Sequence, residues 1–222
     1  MKTVTVDLYT YAELPTDKAK EKAREWYQEG NDNSDELLEW FDNDLPNYGF
    51  CDIDRDNITF NLNSCQGDGF SFTGSVYIED LRKAYDEKLV GDIQELTAYP
   101  ALFAAHDKIK ALGFDVESIL LSRNRNYHYV HKYTVDVDVE FYWFANENEE
   151  DVSVNEGVQV AAGAFEDAMT EVFHAVCDRF EEAGYADIDY RNSEECIADA
   201  MEANDYLFTA DGKRASRIIE EG

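Results

Sequence analysis

The sequence predicts an α+β fold: an antiparallel β-sheet with amphipathic helices packed on one face, in a single domain. Three observations carry this. Apolar and polar residues alternate in several short runs, which fall mostly in adjacent pairs and so read as antiparallel strands. Stretches with apolar residues three and four apart separate those pairs. Each strand has one apolar face, so the helices are needed on one side only. The 222 residues are enough to bury a sizeable core, and with 44% hydrophobic and 14% aromatic residues the chain is not a disordered one. Three prolines and 12 glycines exclude collagen-like and low-complexity classes.

Taken in order, Val4, Val6 and Leu8 alternate as a first strand. Thr16 caps a helix whose apolar stripe is Ala19, Ala23, Trp26 and Tyr27, with Gly30 as its stop. Ser34 caps a second helix carrying Leu37, Leu38 and Phe41, halted by Pro46. Ile58, Phe60 and Leu62 form one strand, and Phe70, Phe72, Val76 and Ile78 another. The Gly-rich stretch between them makes the pair a β-hairpin. Helices are expected over 79–89 and 92–112, and a strand over 116–122. From Tyr127 to Trp143 every second residue is aromatic, apolar or His131, while Asp136, Asp138 and Glu140 share the other parity. This reads as one long strand with a buried face and a wet, acidic face. A long amphipathic helix from about Val160 should end at Gly184, and Ser193 caps a last helix before a short edge strand at Tyr206–Thr209. No linker divides the chain, so residues 1–212 are expected as one domain and 213–222 as a short C-terminal tail, with Arg214 and Arg217 as ordinary solvated charges.

Charge narrows the function. There are 49 Asp and Glu against 19 Lys and Arg, a formal net of -30. Such a field repels phosphate backbones and anionic lipid, so neither direct nucleic-acid binding nor membrane binding is expected. No apolar run approaches the roughly 20 residues needed to span a bilayer, and the N-terminus lacks a signal-peptide pattern. The four cysteines (Cys51, Cys65, Cys177, Cys196) form no CxxC pair, and free thiols in a reducing cytoplasm are expected. Between residues 134 and 211 there are 22 acidic and two basic residues. On the wet face of the long strand, Asp136, Asp138 and Glu140 recur every about 6.6–6.8 Å, from the two-residue rise of a strand. The acidic loop (Glu147, Glu149, Glu150, Asp151) and the helical Glu194 and Glu195 can extend that row. Carboxylates so spaced imitate phosphates, and a Lys/Arg groove built for nucleic acid would accept them. An acidic coat also serves solubility or adaptation to salt.

A second constellation is the hairpin tip, Cys65, Gln66, Gly67, Asp68 and Gly69, with Ser71 beside it. Its glycines allow a ligand to approach backbone N–H groups, although Asp-Gly is also an ordinary turn signal. His128 and His131 suggest acid–base or metal chemistry, but three residues apart on a strand they point to opposite faces, and His131 shares the core parity. No metal site, cofactor or catalytic motif is expected.

These motifs together resemble an uncharacterised tailed-bacteriophage protein family, some of whose members are loosely labelled antitoxins. The resemblance runs from the helix Leu14–Tyr27, through Cys65–Gly74 (the family's SQGDG-SF-G hairpin) and His128–His131 (its HYxH strand), to Ala203–Gly212 (its AN-Y-FT-DG ending). Asn63, Ser64 and Cys65 stand where the family has an aromatic pair and Ser. The resemblance implies a phage protein in the host cytoplasm, and brings no settled activity. The expected function is therefore a phage-encoded, non-enzymatic inhibitor that binds a basic surface on a host nucleic-acid-handling or defence protein, partly by phosphate mimicry. The alternatives are a nucleotide or small-molecule binder or hydrolase joining Gln66–Gly69, His128, Asn204 and Asp211, and an antitoxin-like neutralising partner.

Overall fold

The computed structural model describes residues 5–30, 34–124, 129–143 and 156–215. The fold is α+β, as the sequence predicts. Its contacts gather into two compact units, residues 36–184 and residues 1–35 with 185–222.

The larger unit holds two antiparallel sheets in place of the one expected. Strand β1 (Ile58–Asn61) pairs with β2 (Gly69–Phe72), Ile58 opposite Phe72 and Asn61 opposite Gly69. Strands β3 (Gly74–Val76), β4 (Phe114–Arg123) and β5 (Val135–Trp143) form the second sheet in that order, with an irregularity between Val116 and Ser118. The expected strand through Phe70–Ile78 is broken at Thr73, just before Gly74. The glycine has φ +147°, and a Cβ there would lie 2.9 Å from Ile53 Cδ1. The chain turns at that point from pairing with β1 to pairing with β4, and Ile78 opens helix α3 (Ile78–Glu87). The expected strand 127–143 is also shorter. It begins at Val135, because Thr134 turns back through its N–H and hydroxyl onto the His131 carbonyl (3.0 and 2.7 Å).

Helix α2 (Ser34–Asp44) gives way before Pro46 to one 3-10 turn, as proline at its start allows. Helix α4 (Ala98–Ala111) follows α3. Helix α5 (Glu156–Arg191) does not stop at Gly184. That glycine admits close packing instead: a Cβ there would meet Leu62 Cδ1 at 2.6 Å and Phe41 Cζ at 3.2 Å. The core is aromatic. Phe180 stacks on Phe70 (5.0 Å, 16°) and touches Phe41 and Tyr48, while Phe72 meets Phe173 and Phe50. Ile119, Leu121 and Val135 bury the inner face of the three-stranded sheet, and Phe141 packs on Phe165 of α5. The alternation read from β5 holds, with Asp136, Asp138 and Glu140 exposed.

In the smaller unit, α1 (Asp17–Gly30) starts at Thr16, whose hydroxyl accepts the Ala19 N–H (3.2 Å). Helix α6 (Glu194–Ala203) starts at Ser193, which accepts the Cys196 N–H (3.2 Å). Their faces bury Ala19, Ala23, Ile197 and Met201 with Tyr11, Leu14 and Phe208. The expected strands at each end of the chain reduce to single bridges, Tyr9 to Phe208 and Phe208 to Arg214; Val6 and Leu8 are exposed, and Val4 lies outside the described residues. The fold also runs past residue 212. Ala215 is buried and donates to Leu207 O (2.8 Å). Arg214 is no free surface charge: its guanidinium lies over Trp26 (4.7 Å) and Tyr206 (4.4 Å). Arg217 lies outside the described residues.

Candidate functional site

The three-stranded sheet presents an open row of carboxylates. Residues at even positions of β5 point away from the core, so Asp136, Asp138 and Glu140 stand exposed in one line. Opposite them on β4 are Ser122, Leu120 and Ser118. The Ser118 hydroxyl donates to Glu140 Oε2 (3.0 Å) and the Ser122 hydroxyl to Asp138 Oδ2 (3.1 Å). Leu120 sits between these serines, opposite Asp138, 46% exposed. Among the described residues, no lysine or arginine pairs with the three carboxylates. Hydroxyls orient two of them without neutralising either, so their remaining lone pairs face outward as acceptors for ammonium or guanidinium groups.

Of the other acidic residues expected in this row, four fall outside the described residues and two belong to the smaller unit. Glu147, Glu149, Glu150 and Asp151 lie outside the described residues. Glu194 and Glu195 open α6 in the smaller unit, where carboxylates favour a helix N-terminus, and Glu194 is 3.6 Å from Arg24.

At the hairpin tip the structure brings Cys65–Ser71 together with His131, but the glycines serve the chain's own packing. A Cβ on Gly67 would fall 2.2 Å from the Tyr129 ring, and one on Gly69 2.5 Å from His131 Cβ. Tyr129 and His131 thus occupy the approach that a ligand would need. Asp68 closes the loop by accepting from the Cys65 N–H (2.8 Å) and thiol (3.0 Å). That hydrogen bond pushes the Cys65 thiol up, away from the thiolate a nucleophile requires. Ser71 is fully buried and donates to the Val130 carbonyl. His131 stacks on Tyr129 (5.7 Å), and its Nδ1 is buried without a hydrogen-bond partner. Nearby, burial and then the Asp178 charge push the Glu181 carboxyl up, while Lys132, paired with Asp178, opposes them. His128 lies outside the described residues. Asn204 and Asp211 belong to the smaller unit. There Asn204 donates to Ala200 O (2.7 Å), while Asp211 accepts from the Thr209 hydroxyl (2.6 Å) and then from Lys22 (2.9 Å), which hold its carboxyl well below the usual range. Among the described residues no group of three or more His, Cys, Asp and Glu side chains could hold a metal ion.

Two polar constellations were not read from the sequence. Arg123 donates to Thr59 Oγ1 (2.6 Å), Ser71 Oγ (3.1 Å), Thr134 Oγ1 (3.0 Å) and Tyr129 O (3.3 Å), tying β1, β2 and β4 to the segment before β5. These partners are neutral, and burial pulls the guanidinium down from its ordinary value. In the second constellation, His106 of α4 donates from Nε2 to Asp115 Oδ1 (2.7 Å), and Lys110 bonds Asp115 Oδ2 (2.9 Å). The only sequence signal was the position of His106 on the apolar stripe of its helix, with Leu102, Phe103 and Ile109. Burial alone would raise the Asp115 carboxyl, but hydrogen bonds from His106, Lys110 and the Val116 N–H outweigh it and hold it below its ordinary value. A carboxyl depressed by folding stabilises the protein above its unfolded pKa. That contribution is lost as pH falls through the folded one. Urea titrations from pH 7 downward should therefore show Asp115→Asn less stable than wild type at neutral pH, with the two curves converging below about pH 4. A constant gap across that range would exclude the coupling.

Among the described residues no helix is long and apolar enough to cross a membrane. A family model described as a domain of unknown function (DUF8835) matches residues 33–196. No curated protein and no solved structure matches the chain.

Proposed function

We propose that this chain, which belongs to the DUF8835 family, is a non-enzymatic binding protein whose open sheet face captures a cationic, nucleic-acid-binding surface on another protein. The single observation carrying this reading is the row Asp136, Asp138 and Glu140: exposed, on one strand, with two members held by the Ser118 and Ser122 hydroxyls. A merely solubilising coat has no use for such anchoring. The two-residue repeat of a strand, about 6.6–6.8 Å, suits successive lysine or arginine side chains of a groove that follows a phosphate backbone. Docking releases the counterions held by that groove, and the net charge of -30 steers the encounter. In this reading the protein is phage-encoded, works in the host cytoplasm, and blocks a host nucleic-acid-handling or defence protein. The hairpin tip carries no comparable support, since Tyr129 and His131 fill the space over its glycines.

The test is capture from bacterial lysate on the immobilised protein, followed by elution with duplex DNA and by a salt series. The expected result is a captured protein that duplex DNA displaces, with affinity falling steeply as salt rises. The triple variant Asp136→Lys, Asp138→Lys, Glu140→Lys should bind it at least about tenfold more weakly, as close charge pairs at interfaces do. Its circular dichroism should match wild type. Unchanged capture by that variant at moderate salt sinks the proposal.

A further inference from the structure

Strand β5 is an edge of its sheet. It has β4 on one side, and among the described residues no backbone group bonds residues 136–141 on the other. At nine residues it is longer than most strands, and it carries no proline or lysine of the kind that guards edges. The irregularity in this ladder lies in β4, between Val116 and Ser118. The outer side of β5 thus offers a regular row of backbone N–H and C=O groups.

A row of half-covered apolar side chains follows the same edge. Ile119 and Leu121 of β4 are each 1% exposed, whereas their register partners on β5, Val139 and Val137, are only half-buried, as is Phe141. The inner layer stops one strand short of covering its own last members. The other face of the edge is anionic, with Asp136, Asp138 and Glu140 exposed. A second copy pairing through β5 would set carboxylate against carboxylate, which destabilises a strand pair. The edge therefore disfavours itself and favours a strand of opposite sign.

We propose that the outer edge of β5 takes up an extended segment of a partner protein in which Lys or Arg alternates with Val, Ile or Phe. Main-chain hydrogen bonds lengthen the sheet by one strand. The cations meet the carboxylates on the open face, and the apolar side chains cover Val137, Val139 and Phe141. Both rows repeat every two residues, so a single register satisfies them together. The inference rests on the cationic capture proposed above and names the form in which the partner's charges arrive.

The experiment titrates the intact protein with the capped peptide Lys-Val-Lys-Val-Lys-Val-Lys and with Lys-Lys-Lys-Lys-Val-Val-Val, which has the same composition. The alternating peptide should bind at least about tenfold more tightly. By NMR-detected hydrogen exchange, the amides of residues 136–141 that are not bonded to β4 should exchange freely in the protein alone and slow at least about tenfold in the complex. Absence of binding by the alternating peptide overturns strand addition, as does equal affinity of the two peptides or a complex that leaves those amides unprotected. So does protection already present without peptide, because a second copy or another part of the chain then holds the edge. The triple lysine variant described above separates the two readings. If the peptides bind equally and both weaken in that variant, cationic capture stands and strand addition alone falls. If the variant binds the alternating peptide as tightly as wild type does, both fall.

Discussion

Phe180→Ala should lower the unfolding free energy of the larger unit by about 3–5 kcal/mol, the usual cost of deleting a buried phenylalanine ring. Phe180 is the hub where α5 meets the hairpin. Its ring is parallel to Phe70 at 5.0 Å, edge-on to Tyr48 at 5.4 Å, and in contact with Phe41 at 5.6 Å. Those neighbours are themselves buried, held by a helix, a 3-10 turn and a strand, so they cannot collapse into the space left behind. Phe180→Leu keeps part of the volume and should cost less. Equilibrium urea unfolding followed by near-ultraviolet circular dichroism reads both. A loss under about 1 kcal/mol for the alanine variant would mean that this aromatic cluster does not pack as described.

Gly49→Ala should destabilise the same unit by about 2–4 kcal/mol, combining a left-handed backbone penalty with overpacking. Gly49 has φ +88° and closes the 3-10 turn Leu45–Tyr48 by donating its N–H to Pro46 O (3.0 Å). A Cβ there would lie 2.6 Å from Leu81 Cα, 2.8 Å from Leu81 N and 2.9 Å from Asp80 O. All three are backbone atoms of α3, so relief requires moving the helix. Gly163→Ala in α5 is the internal control. A Cβ there meets nothing within 4 Å, and the change should stabilise the helix by up to about 1 kcal/mol. Equal effects for the two substitutions, measured by the same urea titration, would contradict the close approach at Gly49.

That contrast also explains what could be read from the sequence. Local rules that depend on one or two side chains survived: Thr16 and Ser193 cap helices as expected, and the alternation from Val135 to Trp143 sorts a wet face from a dry one. Glycine did not translate so simply. The same residue type turns the chain at Gly74 and lets a helix pass its neighbours at Gly184, and only the surrounding atoms distinguish those uses. The alternation that implied a strand as far back as Tyr127 misled, because a threonine hydroxyl bonding its own backbone competes with ladder pairing at Thr134. The acidic row of β5 was legible because strand geometry alone creates it. The Arg123 clamp was not, since its four acceptors come from segments up to 64 residues away. His106 looked like any core position, and its significance rests on Asp115.

Leu120 gives the sheet face a property that a run of carboxylates lacks. It raises an isobutyl knob among the charges, where a phosphate backbone carries only charged oxygens. A basic cleft shaped tightly around a nucleic-acid backbone meets a steric obstacle there, whereas one with a greasy notch beside its lysines and arginines gains extra burial. If the sheet face captures basic surfaces as proposed, this knob would make it discriminate among them by shape.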